Sequence, residues 1–207
     1  MKKMHLLFAA LCAYGTMLTG QNSRPEVVFQ NGVGFHWFEN TYGSYTLNGG
    51  LRLNNYVEAG LLYALFFDIE NLDYFSYYSL NYPSRNGSYD AGFYLKYYLH
   101  GKLTGRKSGF FLGTEARSGV LKSVRYDYNR NNGELEQIDV EIKTNKFLFE
   151  WGIQWKLGKH VFFELIAPVG FENSRIPYGP DALTGKEVIY FENTFIMQPG
   201  VSLGFSF

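Results

Sequence analysis

From Val27 to Phe207 the chain runs as eight successive segments in which every second residue is apolar and its neighbours are Gly, Ser, Thr, Asn or charged. A period of two belongs to β-strands with one apolar and one polar face. The last segment is the clearest: Phe195, Met197, Pro199, Val201, Leu203, Phe205 and Phe207 alternate with Ile196, Gln198, Gly200, Ser202, Gly204 and Ser206. Strands of about ten residues, closed so that no edge meets lipid, are what a transmembrane barrel requires. The pattern predicts an all-β fold, an eight-stranded antiparallel up-and-down transmembrane β-barrel.

The strands are placed at Val27 to Phe38, Ser44 to Leu53, Val57 to Phe67, Asp90 to Leu99, Phe110 to Tyr126, Ile138 to Leu157, Val161 to Phe171 and Val188 to Phe207. They leave room for one domain, residues 21–207. Residues 1–20 read as a secretory signal: Lys2 and Lys3 precede an apolar stretch from Leu6 to Leu18, too short for the ~20 residues of a membrane helix, and Gly20 offers a small residue before Gln21. Ala13-Tyr14-Gly15 is a competing cleavage site. Cys12 follows the bulky Leu11, which argues against lipidation, and its removal with the signal leaves no cysteine. Stability must then come from burial, hydrogen bonding and closure rather than disulfides.

Connection lengths alternate. Short or modest turns join Leu53 to Val57, Leu99 to Phe110 and Leu157 to Val161, whereas Asp68 to Tyr89, Asp127 to Gln137 and Glu172 to Glu187 are long. Short turns belong to the periplasm and long loops to the outside, so an even strand number puts both termini in the periplasm. Parity requires Leu53 and Val57 to pair across three residues, as must Leu157 and Val161.

Charge excludes some classes of function. Removing Lys2 and Lys3 from 19 basic residues leaves seventeen against 19 acidic ones, a near-neutral chain with no nucleic-acid signature. The 17 Tyr and 19 Phe are instead suited to aromatic girdles at two membrane interfaces.

A soluble ligand-binding barrel is the structural alternative, since alternation alone does not say which face points outward. Against it stand the charged polar face, the sorted connection lengths, the terminal aromatic, and Gly34-Phe35-His36-Trp37, which misses the Gly-x-Trp spacing of lipocalins by one residue. With its eight alternating strands and terminal Gly200-Val201-Ser202-Leu203-Gly204-Phe205-Ser206-Phe207, the mature chain resembles the small bacterial outer-membrane barrels of the OmpA transmembrane and OmpX type. The resemblance implies a Gram-negative outer membrane, contact with its lipid, and insertion by the barrel assembly machinery reading Phe205 and Phe207. It does not carry over a function.

The polar face carries Arg52, Glu58, Lys96, Glu115, Arg117, Glu150, Gln154, Lys156 and Glu164. Arg52 should stand opposite Glu58, Arg117 diagonal to Glu150, and Glu115 beside Lys96. An eight-stranded barrel has room only for side chains, so these charges are expected to plug the lumen, each compensating another's desolvation. The alternatives are a proton or ion path and a carboxylate site.

No catalytic residue, cofactor or metal is expected. A rim hydrolase would need a His with a Ser nucleophile and a carboxylate. His100 and His160 fall at the short-turn end, and His36 faces the lumen near the other rim, with no serine one or two residues away. Asp127, Asn129, Asn131 and Gly133 misplace the glycine of a calcium loop and put Ile138 where its final Glu belongs. Asn86-Gly87-Ser88 matches a glycosylation triplet without weight in a bacterial setting.

Tyr74, Phe75, Tyr77, Tyr78 and Tyr82 lie among Asn, Ser and Asp in the second long loop, a mixture suited to binding an extracellular protein or glycan, or to crowning the mouth. The fifth and sixth strands alternate for longer than a crossing needs, predicting a protruding hairpin that carries Tyr126 and Tyr128. Apolar residues occupy even positions up to Ile142 and odd positions from Phe147, which predicts a bulge near Thr144 to Lys146, with Lys122 and Lys146 at the outer headgroup boundary.

Overall fold

The computed structural model describes residues 25–36, 42–53, 56–68, 87–99, 108–129, 134–180 and 187–207. These form β1 (Glu26–His36), β2 (Tyr42–Arg52), β3 (Val57–Asp68), β4 (Ser88–Tyr98), β5 (Ser108–Asn129), β6 (Glu134–Lys156), β7 (Val161–Ile166), β8 (Val169–Pro180), β9 (Glu187–Met197) and β10 (Gly200–Ser206). Every pairing is antiparallel. Neighbours in sequence pair from β1 to β6, β6 pairs with β7 and β8, and β10 pairs with β7 and β1, which closes the wall. The expected signal, residues 1–20, lies outside the described residues.

Ten strands make eight staves. β7 with β8, and β9 with β10, are each one stave interrupted at Pro168 and Pro199. The register carries through both breaks: Gly200 faces Ile166 and Val169 faces Met197, so Ala167 stands opposite Pro199 and Pro168 opposite Gln198. Proline has no N–H to give to the ladder, and the interruption follows. Each still accepts on its carbonyl, Pro168 from Gln198 N at 2.9 Å and Pro199 from Phe35 N at 2.8 Å.

At the short-turn end Leu53 N donates to Val57 O and Leu157 N to Val161 O, both at 2.9 Å, so these residues close three-residue turns. At the other end the strands outrun the expected limits. β5 and β6 pair without interruption from Ser108–Trp155 to Asn129–Glu134, and β8 continues to Pro180. Two of the three expected long loops are therefore largely strand, forming a tall four-stranded ridge in the order β5, β6, β8, β9.

The bulge expected near Thr144 to Lys146 does not exist. The β5–β6 register is constant, and among the described residues the one register shift lies between Pro177 and Gly179, opposite β9. What changes is the chemistry of the lumen. Leu121 is buried in a cluster with Tyr42, Ala64 and Phe66, against which Ile142 packs at the loop end. Apolar side chains turn inward there, so alternation reverses its sense with no backbone slip. Elsewhere the outer wall is apolar: Phe29, Leu61, Phe93, Leu112, Trp151 and Leu203 are all exposed. Inside, aromatic rings lie on glycines, Phe162 against Gly204 and Tyr94 against Gly60, leaving no space for a Cβ at either.

Candidate functional site

The inward residues build a column of charges along the barrel axis. At the short-turn end Arg52 and Glu58 face each other in register, and Arg52 Nη2 donates to Glu58 Oε2 at 2.8 Å and to Tyr98 Oη at 3.3 Å. Glu58 also accepts from Tyr98 Oη at 2.9 Å and from Tyr94 Oη at 3.2 Å. The guanidinium lies over the Tyr98 ring, 5.0 Å from its centre. Glu58 is completely buried and Arg52 nearly so, and three donors on one carboxylate offset its desolvation.

At mid-barrel Lys96 Nζ donates to Glu164 Oε2 at 2.7 Å and to Gln30 Oε1 at 3.3 Å, and lies 3.6 Å from Glu150 Oε1. Gln154 Nε2 donates to Glu164 Oε1 at 2.6 Å and to Tyr98 Oη at 3.3 Å, tying this layer to the first. Further along, Arg117 pairs with Glu115 and donates to Gln198 Oε1 at 3.1 Å. Under the apolar cap Lys146 Nζ sits 2.9 Å from Asp90 Oδ2 and 3.0 Å from Glu172 Oε2, with Ser174 Oγ donating to Glu172 Oε1 at 2.8 Å.

Seven of the eight sequence-predicted charges are therefore buried in the lumen; Lys156 is exposed at the end of β6 and stands outside the column. Two expected pairings are replaced. Arg117 takes Glu115 on its own strand rather than Glu150, and Lys96 takes Glu164 and Glu150 rather than Glu115. Lys96 is long enough to cross the lumen from β4 and meet carboxylates on β6 and β7. Lys146 lies inside, not at a headgroup boundary, and brings Asp90 and Glu172 with it. Unbroken parity along β6 was the signal that would have found it.

Among the described residues, six buried acids (Glu58, Asp90, Glu115, Glu150, Glu164, Glu172) thus meet four buried bases (Arg52, Lys96, Arg117, Lys146). Glu150 stands apart, because neither of its oxygens has a hydrogen-bond partner among them.

The remaining candidates are dispersed. Tyr74, Phe75, Tyr77, Tyr78 and Tyr82 lie outside the described residues, as do the side chains of His36, Tyr126 and Tyr128 and the whole of His100. His160 Nδ1 is 2.7 Å from Ser206 O, and its ring stacks on Phe207. Phe207 exchanges two 3.0 Å backbone hydrogen bonds with Val27, and Phe205 pairs with Phe29 and Val161, so both terminal aromatics lie beside the seam that closes the barrel.

A closed eight-stave antiparallel wall, apolar outside and charged inside, is the architecture of the small outer-membrane barrels. No protein-family model matches the sequence, and no curated protein matches it by sequence. In fold the chain is similar to Neisserial surface protein A, NspA, with a TM-score of 0.52 and 10% identity over 89% of this chain and 98% of that one. It is likewise similar to a major outer membrane protein from Thermus thermophilus, with a TM-score of 0.51 and 8% identity over 89% of this chain and 100% of that one. The fold is that of a small outer-membrane β-barrel of the OmpA transmembrane and OmpX type.

Proposed function

We propose that this protein is an integral barrel of a bacterial outer membrane, with its lumen sealed by ion pairs, acting as a structural or surface-binding protein through the ridge and long loops at its outer end. The observation that carries the reading is the buried column from Arg52–Glu58 to Lys146–Asp90, roofed by Tyr42, Ala64, Phe66 and Leu121. A lumen filled by paired long side chains has no room for a continuous water file. In this reading the short turns and both termini are periplasmic, the terminal Phe205 and Phe207 serve insertion by the assembly machinery, and the ridge and Tyr-rich loop meet an extracellular protein or glycan. Planar-bilayer recording of the purified protein tests the seal: no stable conductance is expected, and a large one refutes it.

One observation favours a second reading, a narrow passive path for cations. The buried acids outnumber the bases, and Glu150 lacks hydrogen-bond donors. If small cation-selective steps are recorded, Glu150→Gln should abolish them.

A further inference from the structure

On the outer face of the ridge, side chains fall into straight rows across β6, β8 and β9. Phe147, Phe171 and Phe195 form one row in register and are all about half exposed or more. The next row toward the loop end is Asn145, Asn173 and Asn193, with Asn173 Nδ2 donating to Asn193 Oδ1 at 2.8 Å. The row above is Lys143, Arg175 and Phe191, in which the two cations are exposed direct partners.

Like charges set directly opposite on a sheet repel, and nothing in their row compensates. The outward carboxylates of β6, Glu141 and Asp139, lie one and two rows further up the ridge, where Glu141 has Lys122 of β5 as its direct partner. An aromatic row, an amide row and a cationic row, in that order away from the apolar wall, match the order of an anionic lipid: acyl chains, polar linkage, phosphate. We propose that this face binds a phosphate-bearing lipid of the outer leaflet, with the phosphate between Lys143 and Arg175, the linkage hydrogen-bonded to the asparagine amides, and the chains against the three phenylalanines. The site rests on the membrane reading above and on the loop end facing outward.

The test uses the mature protein reconstituted in phosphatidylcholine vesicles with and without phosphatidylglycerol, the lipid retained after transfer to detergent being counted by native mass spectrometry. Phosphatidylglycerol should be retained roughly tenfold or more over phosphatidylcholine, the contribution expected of two basic side chains at an anionic headgroup. Lys143→Gln with Arg175→Gln should lose that preference, whereas Lys156→Gln with Lys159→Gln, exposed at the opposite end, should keep it. Equal retention of both lipids by the inserted protein, persistence of the preference in the Lys143/Arg175 variant, or equally tight binding of inorganic phosphate alone would overturn the site while leaving the barrel reading intact. Failure to insert at all would overturn both.

Discussion

At the scale of residues, the lumen is governed by what happens when one partner of a buried pair is lost. Glu58 accepts from Arg52, Tyr98 and Tyr94, and Glu58→Ala strands all three. The loss should be about 3–5 kcal/mol, read as a lowered temperature for the shift between folded and unfolded migration on gels. Arg52→Met combined with Glu58→Met should be markedly better tolerated than Glu58→Ala. If the double replacement is as damaging, the pair is not the coupled unit that its 2.8 Å contact implies. The outer wall has the opposite requirement. Leu61 is 71% exposed, and Leu61→Arg, if it lies near the bilayer midplane, should cost roughly 2–4 kcal/mol in a lipid-refolding titration. An unchanged midpoint would mean that this face does not meet hydrocarbon.

At the scale of elements, most of the wall was legible because a period of two is the signature of a two-faced strand, and Val57 or Val161 begins a strand where both pattern and turn require it. Less legible was everything above the apolar belt. Glu172-Asn173-Ser174-Arg175-Ile176-Pro177 has no apolar face and reads as loop, yet it continues β8, because β9 supplies backbone partners along all of it and β6 does so on the other side as far as Arg175, so neither face needs to be apolar. The phantom bulge has the same origin: sequence records which face is apolar, not which is inside. Ile142 points inward against the apolar roof while Phe147, on the opposite face of β6, points out. Trimming the ridge should respect that roof. Replacing residues 125–138 with an Asn-Gly turn between Val124 and Asp139, which are register partners, should preserve heat-modifiable folding and remove surface binding. Extending the deletion through Ile142 should lower thermal stability, because Leu121 and Phe66 then lose their cover. Equal stability of the two deletions would show that the roof contributes nothing.

At the scale of the whole molecule, the pairings differ most in how far apart in sequence their residues lie. The β5–β6 ladder joins near neighbours and engages all 22 residues of β5, whereas the β1–β10 seam joins Val28 to Ser206 and spans almost the entire chain. Joining distant residues costs loop-closure entropy, and that cost falls as intervening hairpins draw the ends together. The long hairpin should therefore form early and the seam last, leaving β1 and β10 as open edges until the final step. Val33→Cys with Val201→Cys, a register pair on that seam, would report the step directly, since the disulfide needs the two Cα atoms within reach of each other. Its appearance should lag behind strand formation seen by circular dichroism. Simultaneous appearance would mean that the barrel closes as it zips, and that the protein never presents an open-edged intermediate at all.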